Sequence, residues 1–200
     1  MLQGPTGATR LLLRALRAQD VRGRTLLDVG GGVGTIQHDL LAAGIEHAVG
    51  VDASAAYLAA AREEARPRGW EDRVTLLHGD FVRLANDVPS ADIVTLDKVI
   101  CCYDDMPSLL GAAAARSRRM LGAVFPRDTW WTRLGIRLVN FIMRLRRSPF
   151  RTFLHPPQEV DSVLRRYGLT PRWQGGTLLW LVWVYARETV AVGRDPARRD

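Results

Sequence analysis

The stretch from Leu26 to Leu41 constrains the fold more than any other, because it sets a run of glycines between an apolar segment and a helical pattern. Residues 25–29 have the composition of a short buried strand, and residues 35–43 place apolar side chains at helical spacing. Glycines let a polar ligand approach the backbone closely, and the first amides of a helix are free to bind it. The segment therefore predicts a strand, a ligand-binding loop and a helix, in that order.

The rest of the chain repeats this alternation of short apolar runs and helical patterns. Such alternation predicts an α/β fold with a mostly parallel sheet covered by helices on both faces. The predicted strands cover residues 25–29, 47–51, 74–78, 91–96, 121–125 and 177–186. The predicted helices cover residues 8–19, 35–43, 54–66, 108–120, 130–147 and 158–167, with a loop over 148–157 and a turn at Gly175 and Gly176.

The length of the chain, 200 residues, allows one substantial core. We predict a single domain over residues 1–188, with an insertion over about 130–155 and a flexible tail over 189–200. Strands and helices alternate regularly before the insertion, and no low-complexity block interrupts them.

The cysteine content and the chain start point to a cytoplasmic protein. Cys101 and Cys102 are adjacent, which makes an ordinary disulfide between them geometrically poor. The first residues lack a signal-peptide cleavage pattern, and no apolar stretch is long enough to span a bilayer. No His, Asp or Glu cluster has metal-ligand spacing, so we expect no metal site.

The chain carries a formal charge of +7, and this excess is almost entirely arginine because Lys98 is the only lysine. Arginine binds phosphate and carboxylate well, but an arginine excess also arises from compositional drift. No aromatic platform is interleaved with the basic residues, so a nucleic-acid partner is disfavoured.

The glycine loop has the spacing D-x-G-x-G-x-G, formed by Asp28, Gly30, Gly32 and Gly34. A dinucleotide-binding fingerprint, G-x-G-x-x-G, requires a third glycine where this chain has Thr35. The motif present here resembles the first motif of the class I S-adenosylmethionine-dependent methyltransferases.

Three further acidic residues extend this resemblance, since Asp52, Asp80 and Asp97 end the second, third and fourth predicted strands. Open α/β sheets bind ligands at the carboxyl ends of their strands. The resemblance implies that Asp52 holds the ribose, Asp80 the adenine amino group, and that Asp97 lies near the methyl group. The alternative for Asp52 and Asp80 is that they only cap the following helices.

The resemblance also implies a Rossmann-like three-layer sandwich with a seven-stranded, mostly parallel sheet and an antiparallel last strand. To this the chain adds a helical lid insertion. S-adenosylmethionine is the implied cofactor, and its predicted contacts are Asp28, Gly30, Gly31, Gly32, Gly34, Asp52, Ala53, Gly79, Asp80, Phe81 and Asp97.

The residues after the fourth strand bear on the methyl acceptor. Family members that methylate base amines carry [DN]-P-P-[YFW] here, and this chain reads LDKVICCY, which disfavours nucleic-acid bases. Tyr103, Asp104 and His155 lie in loops on the ligand side; we predict catalytic or acceptor-positioning roles for Tyr103 and His155. His155 could instead be a loop hydrogen-bonding residue, and the two cysteines are expected to pack in the core.

The predicted helix over 130–147 has two contrasting sides. It suits a lid over a hydrophobic acceptor, a helix lying on an anionic membrane surface, or a surface helix packed on the sheet. The polar stripe consists of Arg133, Arg137, Asn140, Arg144 and Arg147, and the opposite side consists of Trp131, Leu134, Leu138, Ile142 and Leu145.

The carboxyl-terminal stretches FLHPPQEVDSVLRRYGL and LLWLVWVYAR are distantly similar to magnesium-protoporphyrin O-methyltransferases, which esterify a carboxylate on a large flat macrocycle. Together with the first motif, this similarity implies direct methyl transfer to a hydroxyl or carboxylate oxygen of a hydrophobic small molecule. Two alternatives remain: an NAD(P)-dependent oxidoreductase, and a non-catalytic, membrane-peripheral protein that binds S-adenosylmethionine. The oligomeric state is not indicated.

Overall fold

A seven-stranded sheet forms the centre of the molecule in the computed structural model, which describes residues 7–187. Its strand order is β3-β2-β1-β4-β5-β7-β6. The first five strands are parallel, and β7 pairs antiparallel with both β5 and β6. The strands are β1 (Thr25–Val29), β2 (His47–Asp52), β3 (Val74–His78), β4 (Ala91–Asp97), β5 (Ser117–Pro126), β6 (Leu169–Gly176) and β7 (Trp180–Arg187). The predicted mostly parallel sheet with an antiparallel last strand is confirmed.

Helices cover both faces of this sheet, because alternate side chains of each strand point to opposite faces. Leu26 packs with α1 and α2 on one face, and Leu27 packs with α5 and α7 on the other. The predicted tail over 189–200 lies outside the described residues. The helices are α1 (Gly7–Arg17), α2 (Thr35–Ala42), α3 (Ala55–Ala65), α4 (Phe81–Leu84), α5 (Met106–Arg116), α6 (Trp130–Leu145) and α7 (Pro157–Arg166).

The boundary between α5 and β5 differs from the prediction, because residues 117–120 belong to the strand rather than the helix. Ser117 and Met120 are both buried while the two arginines between them are exposed, and this three-residue spacing imitates a helix. The cause is an irregularity in the register, in which Ala91 and Ile93 of β4 pair with Ser117 and Met120. The extra residue in β5 removes the alternation that identifies a strand.

Strand β6 was absent from the predicted strands, and the turn predicted at Gly175 and Gly176 is wrong, since both glycines lie within β6. The strand forms the edge of the sheet and pairs with β7 alone. It contains Pro171, and most of its side chains are partly or fully exposed. Proline and glycine are tolerated at a sheet edge, but they weaken the pattern by which a strand is recognised.

The long helix α6 follows β5 and is not packed into either layer. No residue of α6, all of which the structure describes, is buried. Thr132, Ile136, Asn140 and Met143 are partly covered, so α6 is a surface helix with one partly covered side. Within residues 7–187, no helix has both the length and the hydropathy needed to cross a membrane.

Candidate active site

A cavity of about 610 Å³ lies at the carboxyl ends of β1 to β4. The strand order reverses between β1 and β4, which is where an open α/β sheet leaves a crevice for a ligand. The predicted site residues that line this cavity are Gly30, Asp52, Ala53, Gly79, Asp80, Phe81, Asp97 and Tyr103. The sheet topology thus gathers residues from five separate segments of the sequence.

The glycine loop, directly after β1, reaches this cavity through Gly30; its three later glycines, also predicted as cofactor contacts, are not among the lining residues. Gly30 and Gly32 have φ angles of 64° and 55°, a left-handed conformation that other residues rarely adopt. The Gly30 amide donates to the Val51 carbonyl at 2.7 Å, which fixes the loop to the end of β2. A Cβ added at Gly30 would lie 2.0 Å from Cγ2 of Val99. The loop therefore needs glycine for both its backbone and its close approach to the cavity wall.

Asp28 lies beneath the loop and does not reach the cavity, since it is 1% exposed. Its carboxylate accepts hydrogen bonds from the Thr95 hydroxyl at 2.6 Å and from the Gln37 amide at 3.1 Å. A Cβ at Gly31 would lie 2.5 Å from both this carboxylate and the Gln37 amide. Burial raises the pKa of Asp28 to about 7, although the two hydrogen bonds favour the charged form.

The raised pKa of Asp28 makes stability depend on pH. The folded protein holds this proton more tightly than the unfolded chain, whose aspartates titrate near 3.8. The resulting stabilisation, about 4 kcal/mol, is fully present below about pH 3.8 and is lost as the pH rises through about 7. We expect Asp28→Asn to flatten the fall in melting temperature between about pH 5 and pH 8, because an amide does not titrate.

The substitution should keep the fold, because Gln37 Oε1 is buried without a partner among the described residues. After a flip of the Gln37 amide, that oxygen can accept from the new asparagine nitrogen. Asp72→Asn, at an exposed position, is the matched control and should keep the wild-type profile. If the melting temperature of Asp28→Asn fell with pH as steeply as that of the wild type, the raised pKa of Asp28 would be contradicted.

Asp52 ends β2 and joins the glycine loop to the start of α3. Its carboxylate accepts from the Gly32 amide at 2.9 Å and from the Ser54 amide at 2.8 Å. A carboxylate has about four lone-pair positions, so two remain for groups inside the cavity. Asp52 can therefore brace the loop and accept hydrogen bonds from a ligand at the same time.

Asp80 caps the short helix α4 and faces the same cavity. It accepts from the Val82 amide at 2.9 Å and from the Tyr103 hydroxyl at 3.0 Å. Burial, followed by the hydrogen bond to Asp80, raises the pKa of Tyr103, which keeps the phenol protonated and donating. Asp80 both caps α4 and lines the cavity, so its capping role does not exclude a role in binding.

Asp97 ends β4 and belongs to a polar group that the sequence did not reveal. It accepts from the Thr9 hydroxyl at 2.7 Å and pairs with the Lys98 ammonium at 3.1 Å. Lys98 also donates to Thr9 at 2.7 Å and lies 5.7 Å from the centre of the Trp180 ring. Thr9 is 88 residues away in the chain, and no sequence motif marks it.

His155 does not line the cavity. Its Nε2 lies 2.9 Å from the Tyr103 carbonyl, which can only accept, so Nε2 donates in this contact. The Phe153 amide donates to the Cys101 carbonyl at 2.7 Å, and the Phe153 and His155 rings are stacked. These contacts fasten the segment after α6 to the loop after β4.

A second cavity, of about 430 Å³, lies beside the first. The two cavities share Cys102, Tyr103 and Phe150 as lining residues, so they adjoin. Asp104, another sequence candidate, lines only the second cavity. The remaining residues that line the second cavity are Asp105, Pro149, Arg151 and Phe153.

The adjacent cysteines have different environments. Cys101 is buried, as expected, but Cys102 is exposed and lines both cavities, so its prediction as a packing residue is wrong. The two Sγ atoms lie 4.0 Å apart. The hydrogen bond from Cys101 lowers the pKa of Cys102 to about 7, and the same contact raises that of Cys101. The turn of the chain after β4 thus places the Cys101 side chain in the core and the Cys102 side chain at the surface.

Comparisons with known proteins agree with this geometry. Residues 26–121 match the family model described as a methyltransferase domain. The ribosomal protein L11 methyltransferase of Alteromonas mediterranea is 37% identical over 113 residues, which cover 54% of this chain and 39% of that protein. The chain thus spans well under half the length of this curated relative.

Two solved structures share the fold. Magnesium protoporphyrin IX methyltransferase from Synechocystis PCC 6803, with bound S-adenosylhomocysteine, superposes with a TM-score of 0.72 and 19% identity. That match covers 89% of this chain and 80% of the other. An O-methyltransferase family protein from Burkholderia thailandensis gives a TM-score of 0.72 at 19% identity, covering 90% of this chain and 56% of the other. These likenesses establish a shared architecture.

Proposed function

Because this chain has the fold and the domain of a class I S-adenosylmethionine-dependent methyltransferase, we propose that it transfers a methyl group to an oxygen of a hydrophobic small molecule. One observation carries the proposal: Asp52 and Asp80, at the ends of neighbouring strands, line the same cavity as the Gly30 loop. This arrangement matches the needs of a nucleoside, which presents ribose hydroxyls and an adenine amino group.

The residues at the cavity fit S-adenosylmethionine. Asp52 would accept from the ribose hydroxyls and Asp80 from the adenine amino group, and the backbone of Gly30, which lines the cavity, would lie beside the methionine portion. Asp97 lies at the same end of the cavity as Lys98, with which it pairs. The bound cofactor supplies an electrophilic methyl group on a positively charged sulfur, and the protein's main task is to align an acceptor with it.

The second cavity supports a hydrophobic acceptor. Phe150 and Phe153 give it apolar walls, and the charge of Arg151 is opposed by Asp104 and Asp105 in the same lining. Its shared boundary with the first cavity would let an acceptor bound there approach the methyl group directly. Solved relatives of the same fold include a methyltransferase named for magnesium protoporphyrin IX, which supports an acceptor of this class.

The alternatives receive less support. The dinucleotide fingerprint of an oxidoreductase requires a glycine at its third position, where this chain has Thr35. A ribosomal-protein acceptor, suggested by the curated relative, rests on a match over 39% of that protein. A non-catalytic membrane-peripheral protein would not need a second cavity beside the first.

Calorimetric titration tests the cofactor assignment first. We expect micromolar binding of S-adenosylhomocysteine and none of NADH or NADPH. Transfer of labelled methyl from S-adenosylmethionine to a panel of hydrophobic carboxylates and phenols, with a short basic peptide as comparison, then tests the acceptor class. Binding of a dinucleotide alone would overturn the proposal, and labelling confined to the peptide would overturn the small-molecule acceptor.

Removal of the Tyr103 hydroxyl tests whether this residue positions Asp80 or takes part directly in catalysis. It donates to Asp80 at 3.0 Å, and its raised pKa makes it a poor base, so we expect it to orient Asp80. Tyr103→Phe should raise KM for S-adenosylmethionine about fivefold, on the order of 1 kcal/mol for one hydrogen bond, with kcat little changed. A large fall in kcat at constant KM would instead support a direct catalytic role.

Two companion variants complete this comparison. Tyr167→Phe removes a phenol outside both cavities and serves as the matched control. His155→Gln keeps a hydrogen-bond donor near the Tyr103 carbonyl, and we expect any effect on the acceptor's KM, because the segment that His155 fastens carries Phe153 of the second cavity.

A further inference from the structure

The outward side of α6 is an extended apolar surface. Its large apolar side chains are between 37% and 72% exposed. Leu134, Leu138, Phe141 and Leu145 follow one another at spacings of four, three and four residues, which places them on one side of the helix. The partly covered residues of the helix, Thr132, Ile136, Asn140 and Met143, lie on the opposite side. We call the first set the outer face of α6.

Positive charge surrounds the outer face. Six arginines lie between residues 129 and 158, and that stretch contains no aspartate or glutamate. Arg133 pairs with Asp128 just before the helix, through contacts of 2.6 and 2.9 Å. Within residues 7–187, no hydrogen bond or ion pair engages the side chains of the others on or just after the helix, which are Arg137, Arg144, Arg146 and Arg147.

The turn between β6 and β7 adds to this surface. Leu178 is 75% exposed, and Leu179 is half exposed. Arg127, just before α6, donates to the Leu179 carbonyl and to the Thr177 carbonyl, both at 2.8 Å. The two leucines therefore lie beside the amino-terminal end of α6, where Trp130 and Trp131 are also exposed.

We propose that the outer face of α6 docks on an anionic lipid bilayer. A helix of this kind lies in the interface with its apolar side among the lipid chains, while long arginine side chains reach the phosphate groups. Charge complementarity selects this occupant. A second copy of the same face would bring arginines against arginines with no acidic partner, which opposes self-association.

Docking in this orientation would also deliver the acceptor, an inference that rests on the proposed function. Asn140 exchanges two hydrogen bonds with the backbone of Thr152, at 2.8 and 2.9 Å, which ties α6 to the segment lining the second cavity. Phe150 in that segment is 46% exposed and lines both cavities. A lipophilic acceptor could then pass from the bilayer along Phe150 into the cavity.

Vesicle flotation at constant pH tests the docking. We expect the wild-type chain to float with vesicles of 70% phosphatidylcholine and 30% phosphatidylglycerol, and far less with pure phosphatidylcholine. Arg137→Glu/Arg144→Glu should lower the partition coefficient by about thirtyfold or more, since each basic residue near such a surface contributes about a factor of five. Leu138→Asp/Phe141→Asp should lower it similarly, because it removes the inserted side chains.

Arg118→Glu/Arg119→Glu is the matched control, with the same change of charge on exposed residues at the opposite end of β5. Melting temperatures verify the fold of each variant, and titration with S-adenosylhomocysteine in the absence of vesicles tests the proposed function separately. Equal flotation with both vesicle types, or flotation unaffected by the α6 variants, would overturn the proposal. So would a dimer in solution that Leu138→Asp/Phe141→Asp dissociates while vesicle binding is absent.

Discussion

Replacement of Gly30 by alanine should abolish measurable binding of S-adenosylhomocysteine and lower the free energy of unfolding by about 3 kcal/mol. A Cβ at this position lies 2.0 Å from Cγ2 of Val99 and forces a non-glycine residue to a φ of 64°. The left-handed backbone costs about 1 kcal/mol, and overpacking against Val99 accounts for the rest. Val99 lines the first cavity, so relief of the clash pushes a wall into the proposed binding space. Calorimetry and thermal unfolding measure the two effects.

Gly23 provides a matched control for this experiment. It has the same φ of 64°, but nothing lies within 4 Å of an added Cβ. Gly23→Ala therefore measures the backbone contribution alone, and we expect about 1 kcal/mol with cofactor binding unchanged. Gly30→Ala/Val99→Ala should recover part of the lost stability, because it removes the clashing methyl groups. A Gly30→Ala protein that binds S-adenosylhomocysteine as the wild type does would remove the loop from the site.

Asp52→Ala should weaken binding of S-adenosylhomocysteine by about thirtyfold, on the order of 2 kcal/mol for hydrogen bonds to a charged acceptor. The carboxylate also accepts from the Gly32 and Ser54 amides, so part of this loss would come from a looser loop. Asp52→Asn keeps one acceptor oxygen, so its affinity for S-adenosylhomocysteine should lie between that of the wild type and that of Asp52→Ala. Calorimetric titration of both variants separates the two contributions when it is read beside their melting temperatures.

The control for Asp52 is Asp87→Ala, which removes an exposed carboxylate outside the cavity. It should bind S-adenosylhomocysteine with the wild-type affinity. If Asp52→Ala also kept that affinity, Asp52 would have no part in the ribose site, and the loop brace would be its sole role.

The gathering of the acidic residues at the first cavity was predictable from the sequence, because these residues occupy fixed places in a parallel sheet. Asp52 and Asp97 end β2 and β4, Asp80 follows β3, and parallel strands bring their carboxyl ends to one edge. The glycines between β1 and α2 then show where the backbone admits a ligand. Local pattern and sheet topology together were sufficient to place these residues at one cavity.

Features that depend on distant contacts were not predictable in this way. Thr9 reaches Asp97 only because α1 packs near the end of β4, and no pattern within either segment signals this. The edge strand β6 has too little alternation, and the irregular register of β5 imitates helical spacing. For α6, the periodicity identified an arginine stripe and an apolar side, but in the fold both are exposed and the partly covered side is the one with Ile136 and Met143.

Cys102 places a thiol that can be chemically modified at the boundary between the two cavities. Its thiol is exposed, and the hydrogen bond from Cys101 lowers its pKa, whereas Cys101 is buried with a raised pKa. A thiol reagent should therefore modify Cys102 and not Cys101. The rate of this modification should decrease when a molecule occupies either cavity. This chain thus carries its own occupancy reporter, which can rank candidate acceptors before any turnover has been detected.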